Sequence, residues 1–257
     1  MQTPDSPASN LKGVRVLITR PVGGGQEEWN TAFAKRGAIP VTYPTVEIQP
    51  PSSWIPVDLA IARIGSFDWL VFTSATAVRF FVPRIPSCTL AHAPLIAAIG
   101  LKTAESVGQA GGQCALVASD SRQEGLLEIL KPLAPQTRIL LPQAEQGRPF
   151  LALALRERQC EVCVVPVYRT VPLVALPVTP EFDVAIFASS SAFQAFLAQN
   201  TMASLYGKPI VAIGPTTAES IRRVGFSPLV ASKPTLDVLV ETVALSWQQY
   251  GEPYGEP

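Results

Sequence analysis

Short runs of apolar, often β-branched residues recur along this chain. Each is followed by a stretch in which apolar positions return every three or four residues. "VRVLIT" from Val14, "DWLVFT" from Asp68, "LIAAIG" from Leu95 and "CALVAS" from Cys114 are runs of the first kind. "EEWNTAFAKRG" from Glu27 and "FLALALRERQ" from Phe150 have the helical spacing. The runs are apolar throughout rather than alternating, as in strands buried on both faces of a parallel sheet. The pattern predicts an α/β fold built from doubly wound parallel sheets.

The pattern also occurs twice. "IAAIGLKTAES" from Ile96 returns as "IVAIGPTTAES" from Ile210, 114 positions later. "FDWLVFTSATAVRFF" from Phe67 returns as "FDVAIFASSSAFQAF" from Phe182, an offset of 115. "VRVLITRP" from Val14 aligns with "TRILLPQA" from Thr137 at an offset of 123, and Tyr43 with Tyr168 at 125. The drop from 125 to 115 places about ten extra residues of the first copy in the "PPSSWIPVDLA" neighbourhood. Two copies of this size point to a duplicated domain rather than a solenoid.

Two segments do not fit a compact βα unit. "IPVTYPTVEIQPP" and "VCVVPVYRTVPLVALP" are long, extended and rich in proline, which is poorly tolerated inside a central strand. They suit crossings between two globules. The chain then starts in lobe A, passes to lobe B and returns. Lobe A is expected at residues 1–44 plus 171–257 and lobe B at 47–166, with 45–46 and 167–170 central to a two-stranded antiparallel linker. The alternative is a tandem of contiguous lobes joined by one proline-rich linker.

Composition narrows the partners. Apolar residues make up 47% of the 257, enough for sizeable cores, and charged residues only 16%, below the usual ~25%. Twenty basic residues balance twenty acidic ones, so no charge excess favours nucleic acid or an anionic membrane. The opening "MQTPDSPASN" lacks the apolar core of a secretory signal. No run approaches the ~18 apolar residues of a membrane span. The closing "YGEPYGEP" has a disordered composition. Together these lead us to expect a soluble, cytoplasmic protein, and we take it to be a monomer. Cys160 and Cys163 form a C-x-x-C, but it leads into a strand-like run, whereas redox pairs sit at a helix start. With His92 the only histidine, a metal site is not expected.

Candidate chemistry gathers where strands give way to helices. Thr73 and Ser74 follow "WLVF", Ser189 and Ser190 follow "AIFA", Thr103 follows "IGLK", and Thr216 and Thr217 follow "IGP". Hydroxyl residues there cap a helix, and the same helix starts attract anions. Capping alone explains any one of them. Several together, on two lobes facing each other, would line a cleft for a ligand with several carboxylates or phosphates. "RPVGGGQEEW" lacks the spacing of a dinucleotide loop and the lysine of a Walker motif. We expect a flexible turn there that lets Arg20 reach the cleft, with Arg148 as its counterpart. Arginine pairs well with carboxylates. Glu105 and Glu219, in the twin "TAES" phrases, are expected in the first helical turn. Tyr168 is the one conspicuous titratable group on a crossing segment and is able to give a proton to a leaving group. A hinge residue packing by its ring is the other reading, and Tyr43 fits either part.

"FTSATAV", "AIGLKTAES", "SRQEGLLEIL", "LLPQAEQGR", "VPVYRT", "FASSSAF", "IGPTTAES" and "VASKPTLDVLVETV" follow one another in that order. The series resembles the uroporphyrinogen-III synthase family across about residues 12–245. The resemblance implies two α/β lobes, the first discontinuous, joined by a two-stranded ladder. It implies closure of hydroxymethylbilane, a linear tetrapyrrole with eight carboxylate arms, to uroporphyrinogen III. The last ring is inverted through a spiro intermediate and water is lost. No metal or organic cofactor is implied, and the bilane-forming enzyme upstream is the implied transient partner. By the same resemblance Tyr168 is the candidate acid for hydroxide departure, and Thr216, Thr217, Ser189, Ser190, Thr73 and Ser74 are candidate substrate contacts. "GLK" at Gly100 to Lys102 departs from the twin "GPT". A non-catalytic two-lobed binding or sensor protein for an anionic metabolite is the competing reading.

Overall fold

A computed structural model describes residues 11–22, 24–86, 94–174 and 178–251. The two chain ends, together with Cys88 and His92, lie outside these residues.

The chain divides into two compact units, one drawn from residues up to Ile48 and from Val171 onward, the other from Gln49–Thr170. The first unit contains β1 (Arg15–Ile18), α1 (Gln26–Ala34), β2 (Ile39–Thr42) and most of β3 (Val46–Gln49). The second continues with α2 (Ile55–Ile61), β4 (Trp69–Phe72), α3 (Ala75–Phe81), β5 (Leu95–Ala98), α4 (Leu101–Gln109) and β6 (Cys114–Val117). It ends with α5 (Gln123–Ile129), β7 (Arg138–Ala144), α6 (Phe150–Glu157) and most of β8 (Glu161–Pro172). The first unit then resumes with β9 (Val184–Phe187), α7 (Ser190–Gln199), β10 (Ile210–Ala212), α8 (Pro215–Arg222), β11 (Leu229–Val230) and α9 (Leu236–Tyr250). The segment around "PPSSWIPVDLA" contains α2.

The five-stranded sheet, in the first unit, runs β11-β10-β9-β1-β2; the six-stranded sheet runs β3-β8-β7-β4-β5-β6, its strands after β3 lying in the second unit but for the end of β8. The pairs β2/β1/β9/β10/β11 are all parallel, and so are β8/β7/β4/β5/β6. Written from one edge, the two parallel orders are equivalent. In each, the first strand of a βαβ pair lies beside the first strand of a three-strand series taken from the other half of the sequence. Each sheet therefore has a topological switch point: β1 against β9, and β7 against β4.

Each sheet carries a core on both faces, which is why its strands read as unbroken apolar runs. In the first unit Val16, Ile18, Val184, Ile186 and Val211 face α1 and α9, meeting Trp29, Phe33, Leu239 and Val243. Leu17, Ala185, Phe187 and Ala212 face α7 and α8, meeting Phe193, Phe196 and Ile221. In the second, Leu70 and Phe72 face Val57, Val78 and Phe81, while Val71, Ile139 and Leu141 face Leu126, Leu151 and Leu155. Burying each such Val, Leu, Ile or Phe side chain fully contributes about 1.5–3 kcal/mol. Phe187 adds edge-to-face contacts with Phe193 at 4.9 Å and Phe196 at 5.4 Å.

One expectation changes. The proline in the segment from Val162 to Pro166 suggests a connector, but the segment is a sheet strand, paired residue by residue with β7. Pro166, which has no N–H to donate, lies beside a shift in the β7–β8 register that falls between Gln143 and Ala144. Proline in a strand is tolerated at such irregularities.

Candidate functional site

In an open α/β sheet, ligands bind beyond the carboxyl ends of the strands at the switch point. Each unit has one such edge.

In the first unit, Arg20 lies just past β1 and Ser189 just past β9. The backbone of Ser189 is extended, and its Oγ accepts the Ala192 N–H at 3.1 Å, capping α7. The hydroxyl lies 3.0 Å from Ser191 Oγ. Ser190 Oγ donates to the Thr216 carbonyl at 3.1 Å, so the start of α7 is tied to the start of α8. Thr216 is exposed. Three strand-end hydroxyl residues thus share one edge.

Three expectations are corrected in this unit. Arg20 does not extend: its guanidinium lies 4.8 Å from the Trp29 ring centre and donates to the Gly24 carbonyl. The glycine run makes this turn possible. Gly25 has φ 78°, and a side chain at Gly24 would meet the Pro21 carbonyl at 2.8 Å. Thr217 is 4% exposed, so its side chain packs into the α8 start rather than opening to solvent. Glu219 lies in the second turn of α8, where it pairs with Arg223 at 3.3 Å.

In the second unit, Thr73 and Ser74 follow β4. Ser74 is extended, and its Oγ accepts the Ala77 N–H at 3.0 Å, capping α3 as Ser189 caps α7. Tyr168 comes from β8 two strands away. Its hydroxyl lies 3.3 Å from Ser74 Oγ, and its ring stacks on Phe80 at 6.0 Å and 30°. Its carbonyl accepts the Glu145 N–H at 2.8 Å. Arg148 follows β7, half exposed, pairing with Glu124 at 3.2 Å and lying 5.6 Å from the Phe150 ring centre. The structure therefore brings Tyr168, Ser74 and Thr73 to one strand-end edge and commits Arg148 to a surface ion pair. Thr103 is 4% exposed and buried in the α4 start, and Glu105 sits in the second turn of that helix.

Tyr43 settles into the packing role. It is 2% exposed, edge-on to Phe196 at 6.0 Å, with its hydroxyl 3.4 Å from Asn200 Oδ1.

Sequence reasoning missed the group beside Tyr168. Ser52 donates to the Glu145 carboxylate from its backbone N–H and, at 3.1 Å, from its hydroxyl. The backbone bond foremost, with Arg169 adding attraction, holds that carboxyl below the usual carboxylate range. Arg169 reaches Gln49 Oε1 at 3.2 Å and Ser52 Oγ at 3.4 Å. Both "YRT" and "AEQGR" belong to the family series, but nothing in either predicts that Arg169 and Glu145 converge on Ser52.

The C-x-x-C pair is not a redox site. Cys160 packs on one face of the sheet and Cys163 on the other, too far apart in direction for a bridge. Burial pushes the Cys160 thiol up. Among the described residues no cluster of three or more His, Cys, Asp or Glu is placed to hold a metal ion, and no helix is long and apolar enough to cross a membrane.

Comparison with known proteins is consistent across sequence and fold. A family model described as "Uroporphyrinogen-III synthase HemD" matches residues 27–241. The uroporphyrinogen-III synthase of Synechococcus elongatus is 32% identical over 251 residues, covering 90% of this chain and 94% of its own. A mutant uroporphyrinogen III synthase from Thermus thermophilus is similar in fold at TM-score 0.61 and 20% identity, over 92% of this chain and 100% of that one. The uroporphyrinogen-III synthetase of Helicobacter pylori gives TM-score 0.58 at 20% identity, over 91% and 99%. With most of the chain matched by the family model and by a relative of nearly equal extent, the chain belongs to the uroporphyrinogen-III synthase family of cyclising lyases.

Proposed function

We propose that this protein closes hydroxymethylbilane to uroporphyrinogen III, inverting ring D and releasing water. The observation that carries the chemical part is the meeting of Tyr168 with Ser74 at the carboxyl edge of β4. There a phenol and a capping hydroxyl stand among strand-end groups suited to carboxylates.

The chemistry asks for one proton and much positioning. A pyrrole nitrogen pushes its electron pair toward the hydroxymethyl carbon, the C–O bond breaks, and Tyr168 protonates the departing oxygen to give water. The azafulvene left behind is attacked by the substituted carbon of ring D, giving the spiro intermediate. That intermediate opens and recloses at the free carbon of the same ring, and the proton lost there restores Tyr168. Carbon undergoes no net redox change, so the reaction calls for no cofactor. Without control the uninverted ring closes, so the protein acts mainly by holding the chain in the productive arrangement.

The candidate carboxylate-receiving hydroxyls are Thr73 at the strand-end edge of the second unit, where Ser74 is committed to Tyr168, and Ser189, Ser190 and Thr216 at that of the first. Arg148 is able to exchange its surface partner for a carboxylate. Arg20, folded onto Trp29, shapes its turn, and the buried Thr103 and Thr217 hold the starts of α4 and α8. We further propose that the chain is an internal duplication whose halves exchange ends, with β3 and β8 as the two-stranded linker between lobe A (1–44 plus 171–257) and lobe B (47–166). The equivalent strand orders and the matching serine caps of α3 and α7 support that history. The protein is proposed to act as a cytoplasmic monomer, taking its bilane from the enzyme that makes it, on the route to haem and chlorophyll pigments.

The test is direct. Purified protein is given freshly made hydroxymethylbilane, and the type I and type III products are resolved. Type III product at an enzymatic rate is expected. Type I alone, at the uncatalysed rate, overturns the proposal in favour of a binding protein.

A further inference from the structure

Simple alternation turns Tyr168 away from the site. In β8, Cys163, Val165 and Val167 pack on the face covered by Val57, Val78 and Phe81, while Val162 and Val164 pack on the other. With a period of two, the next residue belongs with Val162 and Val164. Tyr168 packs instead with Val165 and Val167. The register explains why: Gln143 opposes Pro166, but Ala144 opposes Tyr168, so Val167 is one residue too many in β8. Such a bulge bends a strand and re-aims the side chain beside it.

Ser74 is fixed where the re-aimed phenol arrives. Its Oγ already accepts the Ala77 N–H at 3.0 Å, which sets its rotamer. A hydroxyl carries one proton and two lone pairs. With one lone pair committed, its proton is available for the phenolic oxygen 3.3 Å away.

We infer that Ser74 is a positioning residue for Tyr168: it donates to the phenolic oxygen and so aims the phenolic proton at the departing hydroxyl. This rests on the reading of Tyr168 as the acid. When that proton has moved to the leaving oxygen, the Ser74 O–H remains on the phenolate. A hydrogen bond to a charged oxygen is stronger than one to a neutral oxygen, so the contact favours the transfer over the resting state. The proton released when the ring finally closes returns to the phenolate. Phe80, stacked beneath the ring, limits its swing.

The experiment compares Ser74→Gly, Ser74→Asp, Ser74→Thr, Tyr168→Phe and the double variant Ser74→Gly/Tyr168→Phe in steady-state turnover of hydroxymethylbilane. Glycine and aspartate both serve as helix caps, but neither donates a proton at neutral pH, so Ser74→Asp covers the case in which Ser74→Gly folds poorly. Both are expected to lower kcat about 10-fold, the size of one lost charge-assisted hydrogen bond, with KM of the uncharged Ser74→Gly within about 2-fold of the parent. Ser74→Thr is expected to restore kcat, and Ser74→Gly is expected to add nothing on the Tyr168→Phe background. Parental kcat in both Ser74→Gly and Ser74→Asp, a change confined to KM, or additive losses in the double variant overturns the inference while a slow Tyr168→Phe leaves the acid in place. A Tyr168→Phe enzyme at full rate overturns the acid itself.

Discussion

Tyr43 and Tyr168 stand on strands with the same place in the two sheets, yet one is core and the other is proposed chemistry. Tyr43 follows β2, and its N–H continues the unbroken β1–β2 register by donating to the Ile18 carbonyl at 3.0 Å. Its ring lies edge-on to Phe196, and its hydroxyl reaches Asn200, at the far end of α7. Tyr168 follows a register shift, stacks on Phe80, and reaches Ser74 at the near end of α3. The helices are alike, each capped by a serine three residues before its bonded N–H. One extra backbone residue thus separates a packing tyrosine from one presented at a strand-end edge, and each tyrosine serves as the internal control for the other.

That contrast can be broken from several sides. The largest effect belongs to the packing partner in the first unit. Phe196→Ala is expected to cost about 3–5 kcal/mol in denaturant unfolding, since a fully buried aromatic leaves a cavity. Phe80→Ala, at a half-buried position, is expected to cost less stability while lowering turnover, because the phenol it steadies is then free to swing. Next, Tyr168→Phe is expected to slow type III product formation by about 100-fold, the low end for a missing general acid, with near-parental thermal stability. Tyr43→Phe is expected to leave the rate unchanged and cost about 1 kcal/mol of stability for its hydrogen bond. Equal effects of the two substitutions on rate would remove the distinction between them.

A smaller contrast lies at the opposite, amino-terminal edge of each sheet. Asp183 binds Arg15 through its backbone N–H at 2.8 Å and its guanidinium at 2.7 Å and 3.1 Å, and these bonds hold the carboxyl below its ordinary value. Asp68, 115 positions earlier, accepts the Arg138 N–H at 2.7 Å but lies 3.8 Å from its guanidinium. A lowered carboxyl stabilises the fold above the unfolded value of about 3.9 and loses that contribution as pH falls through the folded value. Asp183→Asn is therefore expected to flatten the fall of Tm below about pH 4. The measurement is thermal unfolding from pH 6 down to pH 3. A comparably small loss of stability is expected from Ser189→Ala, about 1 kcal/mol for a lost cap. A larger loss of activity than of stability is the result expected of a residue that also receives a substrate carboxylate, and a loss of stability alone removes Ser189 from that role.

Much of this was legible in the chain. The apolar runs marked the strands because residues such as Val16 and Leu17 are buried on opposite faces of one sheet. The twin phrases marked equivalent helix starts because a serine after an apolar strand caps the helix in either unit. Side-chain direction was not legible. Arg20 folds onto Trp29 through a turn whose shape depends on a left-handed Gly25. Thr103 and Thr217 share the composition of exposed hydroxyls, yet face inward at the third position of their helices. The shift at Val167 has only Pro166 as a local sign, and a proline does not tell which residue is the extra one. A bulge is a mismatch between two strands, and here the partner residues Gln143 and Ala144 lie more than twenty positions upstream.

The first unit is interrupted, and that fixes the order in which it can be completed. Val16 in β1 takes Val184 as its neighbour, across 168 positions of chain. On the ribosome, β1, α1 and β2 emerge early and then stay exposed along one side of β1 while the whole of Gln49–Thr170 is made. Contacts this distant in sequence are slow to form, and an unpaired apolar strand edge is prone to aggregate. Synthesis past Phe187 supplies the missing neighbour, so chains stalled between Thr170 and Val184 are the nascent form most in need of a chaperone.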